Sequence, residues 1–299
     1  MWGNVSKGDE CMVGWLIVNS FVDTPKFHEL YDFLARAARA HHIKVEIKTT
    51  DALLSPLDCH FGDVCLPDFV LFWDKDIYLA RRLEAEGIPL FNSAGAIELC
   101  DNKILTALAL EGCVKTPKTI IAPKTFEGLG YTKKDFIKKA IALLGLPMVI
   151  KEAYGSFGKQ VYLAHSFEEA SAMVDQIGHK DFLMQEYIAQ SHGKDVRINV
   201  VGGKVVASIL RYNDHDFRSN ISNGGSMKPY TPTPAQAHAA CQACDRLGLD
   251  FAGVDILFGE EDEPIVCEVN SNPHFKSTFD ATGIDMSMSI MAHIKGKLS

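Results

Sequence analysis

Residues 251–272 read FAGVDILFGEEDEPIVCEVNSN: two apolar runs, each long enough for a strand and too short for a stable helix, on either side of an acidic turn. Such a pair folds as an antiparallel hairpin, 251–258 against 265–270, turning through the Gly-to-Pro segment. With Phe258 opposite Ile265, a constant register sets Asp255 across from Glu268 and Gly253 across from Asn270, all on one face. Two ionised carboxylates about 4 Å apart repel by roughly 4 kcal/mol at a surface-like dielectric, so the pair weakens the hairpin unless something offsets it. Hard Mg²⁺, held by two carboxylates and an amide oxygen, would do so, and so small an all-oxygen set usually shares its metal with substrate phosphates. Two solvated acids, one protonated acid, or a register slipped by one residue are the alternatives.

The rest of the chain has room for a nucleotide site. Its 299 residues, 47% hydrophobic with net charge −8, suit a soluble globular protein of two or three lobes. No apolar tract approaches a membrane span, and the start carries no secretory pattern, so the expected location is cytoplasmic. Eight scattered cysteines lack the density of a disulfide scaffold and are expected as free thiols. The acidic balance argues against a general grip on nucleic acid.

Residues 1–95 alternate strand and helix: strands at 12–18, 43–48 and 69–73, with a helix from DTPKFHELYDFLARAARA between the first two, capped by Thr24 and started by Pro25. That alternation predicts an α/β lobe. NSAGAIELCDNKILTALALEG reads as further helix, with Gly112 as a stop. From about 132 the pattern restarts as a second small α/β lobe, and a third begins near FLMQEYI with a strong hairpin about Gly202 and Gly203. The expected domains are 1–95, 96–184 and 185–299.

Four short stretches could carry chemistry. YGSFGKQ, 154–160, lies between two predicted strands, and its small residues let backbone N–H groups approach an anion; it is not a Walker A motif, and a plain hairpin turn explains it as well. Lys151 ends the preceding strand and Lys103 opens a helix after CDN; each also reads as a surface lysine. QEYI, 185–188, is a strand end that could form a hinge for a flat base. FRSN, 217–220, offers Arg218, whose fork suits carboxylate or phosphate oxygens, in what is otherwise an ordinary polar loop. Cys241 and Cys244 form a C-x-x-C, but helical spacing puts them on a packed stripe, with no second pair to complete a metal site.

Taken in order, NSAGAIELCDNK, MVIKEAYGSFGKQVYL, FLMQEYIAQSHGKDVRINVVGGKVV, FRSNISNGG, LGLDFAGVDILF and CEVNSNPHF resemble the ATP-grasp ligases, specifically the RimK-like family of ribosomal-protein glutamate ligases and their relatives. The likeness runs from about residue 90 to 295. It implies an α/β fold with three-lobed ATP-grasp architecture and an N-terminal α/β pre-ATP-grasp lobe. It also implies an ATP-dependent carboxylate-amine ligase that forms an amide through an acylphosphate, releasing ADP and phosphate; a kinase-like phosphoryl transferase and a non-catalytic nucleotide-binding scaffold are the rival readings. Carried over by position, Lys103 and Lys151 hold ATP phosphates under a covering loop containing Gly155, Ser156 and Gly158. Glu186 and Tyr187 form the adenine hinge, and Asp195 contacts the nucleotide, at the ribose. Arg218, Ser219 and Asn220 lie beside the phosphates and acyl group, with Arg218 as the catalytic residue. Asp255, Glu268 and Asn270 hold the metal, Mg²⁺ or Mn²⁺, with two ions expected. The implied partners are ATP, a carboxylate on a small molecule, peptide or protein tail, and an amine such as an amino acid; a homo-oligomer is left open. His274 departs from the family pattern, where glycine is common, and SFGKQ is less glycine-rich than the usual loop.

Overall fold

The computed structural model describes residues 12–57, 61, 65–156, 158–220 and 224–299. Phe157 of the expected phosphate loop, residues 221–223 after FRSN, and Cys11 and Cys59 lie outside the described residues. The chain divides into two compact units, one running to Ala94 and taking in Asp285–Ser299, the other spanning Gly95–Ile284.

In the first unit the apolar runs form strands β1 (Val13–Val18), β2 (Lys44–Thr49), β3 (Phe69–Phe72) and β4 (Leu90–Phe91). They make a parallel sheet of order β2-β1-β3-β4. Consecutive residues Trp15 to Val18 and Phe69 to Phe72 are all buried, as expected of central parallel strands covered on both faces. Helices α1 (Pro25–Ala40) and α2 (Ile77–Ala85) supply the crossovers. Residues 286–298, near the chain end, also belong here, and the Ser287 hydroxyl donates to the Phe33 carbonyl at 3.1 Å.

The second unit carries two antiparallel sheets. The helical stretch expected over 92–112 is two helices, α3 (Ala94–Asp101) and α4 (Lys103–Leu110), the second opening at Lys103 as the sequence suggests. Asn102 breaks it, because its Oδ1 accepts from the backbone N–H of Ile104 and Leu105 and so caps a new helix. Beyond it come β5 (Thr119–Ile121), α5 (Asp135–Leu144), β6 (Met148–Glu152), β7 (Val161–Ala164), α6 (Phe167–Ile177) and β8 (Phe182–Glu186). These strands form a sheet of order β5-β8-β6-β7, with α5 and α6 packed on one face through Ile137, Ala140, Ala170 and Val174.

The larger sheet has order β11-β10-β9-β12-β13, from β9 (Lys194–Val201), β10 (Lys204–Tyr212), β11 (Ser226–Pro229), β12 (Phe251–Phe258) and β13 (Pro264–Asn270). Its alternation sorts two faces. Val196, Ile198, Val200, Ala252, Val254 and Ile256 are buried in one cluster with Ala240, Ala243, Cys244 and Leu247 of α7 (Pro234–Arg246). Each large aliphatic side chain so buried stabilises the sheet by about 1.5–3 kcal/mol. Cys244 is part of that packing, as the helical spacing predicts, and burial pushes its thiol pKa upward. The residues between them on β9 and β12 face the other way: Asp195, Arg197, Asn199, Gly253 and Asp255. Helices α8 (Lys276–Thr282) and α9 (Met286–Leu298) complete the chain.

Candidate active site

The opening hairpin forms, with a different register from the constant one. Near the turn, Phe258 faces Pro264 and Leu257 faces Ile265, one residue off expectation. The register then shifts between Asp255 and Ile256, leaving Cys267 as the extra residue of a β-bulge. Past the bulge Asp255 faces Glu268 and Gly253 faces Asn270, as the sequence reading requires. The acids are therefore paired because Cys267 takes up the slip.

The charge of Asp255 is not left to a metal. Its side chain, 4% exposed, accepts from Arg197 Nε on Oδ1 and Arg197 Nη2 on Oδ2, both at 2.7 Å, and Arg211 Nη2 stands 2.9 Å from Oδ2. Arg211 in turn forks onto Asp195 at 2.7 and 2.5 Å. Burial pushes the Asp255 carboxyl up, but the charges of Arg197 and Arg211 and their hydrogen bonds outweigh it and hold its pKa below the ordinary carboxylate range. Asp195, Arg197, Arg211 and Asp255 thus form a charge-balanced tetrad, buried except for the 14% exposed Arg197 side chain. Both carboxylate oxygens of Asp195 face Arg211, and the residue also lines the pocket described below. Arg197 and Arg211 were absent from the sequence reading. Their signal was an arginine two residues from Asp195 in the apolar run DVRINVV and another closing KVVASILRY; what they pair with lies 58 or 16 residues away.

The residues also fit a metal. A carboxylate offers about four lone-pair positions, and the arginines engage Asp255 by three contacts, only one of them at Oδ1. Glu268 is half-exposed, with Lys103 Nζ 3.8 Å away, and Asn270 Nδ2 donates to the Gly253 carbonyl at 3.4 Å. Two carboxylates and an amide on paired strands are hard oxygen donors suited to Mg²⁺ or Mn²⁺.

Around this face the second sheet closes a cleft. Lys151, Gly158, Glu186, Tyr187, Asp195, Arg218, Ser219, Asn220, Asp255 and Glu268 line one pocket, which Val149, Leu257 and Cys267 make apolar on its walls. Lys151 is buried, its ammonium 3.5 Å from Cys267 Sγ. Lys103 lines the adjoining cavity with Lys151 and Glu268 and donates to the Gly155 carbonyl at 2.9 Å. Gly155 and Ser156 thus belong to the loop over the lysines and do not line the main pocket; nor does Asn270. Glu186 ends β8 and turns its carboxylate to the backbone N–H of Lys118 at 2.7 Å. The Tyr187 hydroxyl bonds His192 Nδ1, its ring meets Phe217 edge-on at 6.5 Å, and burial raises its pKa. Of the sequence-derived residues, Lys151, Gly158, Glu186, Tyr187, Asp195, Arg218, Ser219, Asn220, Asp255 and Glu268 thus share one pocket, Lys103 lines the cavity beside it, and Gly155, Ser156 and Asn270 line neither.

The family model of the RimK-like ATP-grasp domain matches residues 101–294, so this chain belongs to the RimK-like ATP-grasp family. Beta-citrylglutamate synthase B of Danio rerio is 37% identical over 221 residues, 72% of this chain and 52% of that protein. N-acetylaspartylglutamate synthase A of Homo sapiens is 36% identical over 217 residues, 71% and 54% of the two chains. The chain thus spans about half the length of these two relatives. An uncharacterized MG012 homolog of Mycoplasma pneumoniae is 33% identical over 233 residues, 75% of this chain and 79% of that one. In fold, the chain is similar to an ATP-grasp RimK domain protein from Sphaerobacter thermophilus, with TM-score 0.71 and 22% identity over 94% of this chain and 98% of that one. It is also similar to the D-alanine–D-alanine ligase of Bacillus anthracis solved with ATP, with TM-score 0.69 and 19% identity over 96% and 98%. The ATP-grasp architecture and the ligase class of enzyme expected from the sequence are the ones these matches give. Among the described residues no helix is long and apolar enough to cross a membrane.

Proposed function

We propose that the protein joins a carboxylate to an amine at the expense of ATP, through an acylphosphate. The observation that carries this is the convergence of Lys151, Arg218, Asp255 and Glu268 on one cleft whose other end is the Glu186–Tyr187 strand end. Adenine lies at that strand end, and Lys103 and Lys151 hold the phosphates under the loop that begins at Gly155. The substrate carboxylate attacks the γ-phosphorus, ADP leaves, the amine adds to the acyl carbon, and phosphate departs to give the amide. Arg218 donates to the loop at the Gly158 carbonyl, and it stabilises charge on the acyl oxygen, where one such donor is worth about 3 kcal/mol. Asp255, Glu268 and Asn270 would hold Mg²⁺ or Mn²⁺, two ions when fully loaded, and the metal supplies charge neutralisation at the phosphates. No side chain of the cleft need act as a covalent nucleophile. The names of the relatives, a citrylglutamate and an N-acetylaspartylglutamate synthase, favour an amino acid such as glutamate as the amine and a small carboxylate as its partner. A cytoplasmic setting accords with the six described cysteines, all free.

The test is a matrix of carboxylates and amino acids with ATP and Mg²⁺, read as ADP release and product mass. ADP release that requires both a carboxylate and an amine, with a product lighter by one water than their sum, is the expected result. Release that a carboxylate or hydroxyl compound supports fully without amine would identify a phosphoryl transferase instead.

A further inference from the structure

Arg218 does not reach into open solvent. Its Nε donates to both oxygens of Asp216 at 3.0 and 3.2 Å, its Nη2 donates to Asp216 Oδ2 at 2.7 Å, and its Nη1 donates across the cleft to the Gly158 carbonyl at 2.7 Å. The same nitrogen lies 3.4 Å from the Val161 carbonyl at the start of β7. One guanidinium therefore ties the 213–218 segment, which follows the larger sheet, to the phosphate loop of the smaller one.

Asp216 is itself fixed by its own turn. Its Oδ1 also accepts from the backbone N–H of Arg218 at 2.8 Å, closing a local turn that leaves the carboxylate facing the guanidinium. Behind it Gly193 donates to the Phe217 carbonyl at 3.0 Å, and its own carbonyl accepts from Asn213 N–H at 2.7 Å. A side chain on Gly193, at φ 63°, would stand 2.2 Å from the Asn213 carbonyl oxygen and 3.0 Å from that of Asp216. Only glycine lets the segment seat this closely.

We infer that Asp216 is a positioning residue: it holds the guanidinium of Arg218 in the one orientation that spans the cleft and meets the phosphate loop. A long arginine free to rotate would meet the loop in only a fraction of its rotamers, whereas a bidentate fork fixes the plane and leaves Nη1 aimed outward. The hydrogen bond of each partner to the other keeps both charged, lowering the Asp216 pKa and raising that of Arg218. This inference rests on the role of Arg218 proposed above.

A double-mutant cycle tests it and separates the two claims. Losing a well-placed donor costs on the order of 100-fold in turnover, and Asp216→Asn is expected to cost about tenfold or more of that while the KM for ATP moves by less than about threefold. Asparagine keeps the bond to the Arg218 backbone N–H, so the local turn survives. In an Arg218→Ala background, Asp216→Asn should have no further effect on turnover. Hydrogen exchange across 158–161 in the nucleotide-free protein should rise in either single variant, while exchange in β9 and β12 stays as in the parent when the variants are folded. If Asp216→Asn slows turnover as much without Arg218 as with it, or leaves loop exchange unchanged, Asp216 does not act through Arg218 and the inference falls. If Arg218→Ala itself turns over normally, the role of Arg218 is what fails.

Discussion

Glu268→Gln should reduce amide formation about 100-fold or more while leaving the protein as stable as the parent. Metal-assisted stabilisation of phosphoryl charge is worth several kcal/mol, and ~3 kcal/mol already corresponds to about 100-fold in rate. Removing one ligand charge forfeits most of that. The fold should not notice, because the Glu268 side chain is 36% exposed and stands 3.8 Å from Lys103, a solvent-screened arrangement of the kind that contributes under about 1 kcal/mol. Steady-state ADP release at saturating ATP, with a Mg²⁺ titration and a urea melt on the same sample, checks both halves. Near-normal turnover at ordinary Mg²⁺ would remove Glu268 from the metal set.

Asp255→Ala, one residue across the hairpin, should behave in the opposite way and cost stability as well as activity. Asp255 is 3% exposed and takes three contacts from Arg197 and Arg211, and Arg211 is itself 4% exposed. Deleting the acid leaves buried guanidinium charge short of a partner, a change that destabilises by about 3–5 kcal/mol. Asp195 still faces Arg211 and limits the loss there, and Arg197, its side chain 14% exposed, is partly hydrated, so the loss should fall at the lower end of that range. The urea midpoint should drop accordingly, whereas Asp255→Glu should recover part of it. A midpoint within about 1 kcal/mol of the parent would mean that Arg197 and Arg211 find other anions, and that the tetrad is not a structural unit.

These two contrasting acids mark what the sequence carried and what it did not. The pairing of Asp255 with Glu268 was legible because period and turn place both on one face of a hairpin. The route to it was not: alternation specifies faces, and nothing in PIVCEVN says that Cys267 bulges and shifts the pairs nearer the turn. Nor could pattern tell which cation meets Asp255, since Arg197 and Arg211 reach it through strand order β10-β9-β12, a long-range outcome of packing. The break at Asn102 was legible locally, since Lys103 after CDN reads as a helix start and an Asn directly before it suits a cap. Short elements such as β11 and α8 escaped because polar residues dominate them and they form against neighbours already in place. Lys103, Lys151 and Arg218 were each ambiguous singly, and the order of the motifs joined them before the cleft did.

The central claim is the acylphosphate, and oxygen bookkeeping tests it most directly. With both oxygens of the substrate carboxylate labelled with ¹⁸O, attack on the γ-phosphorus makes one of them the bridge to phosphate, and the amine then displaces that bridge with the leaving group. The account predicts one ¹⁸O in inorganic phosphate for each amide formed, ADP as the nucleotide product, and one ¹⁸O retained in the amide. Label in AMP with pyrophosphate as co-product would contradict it, whatever the identity of the amide.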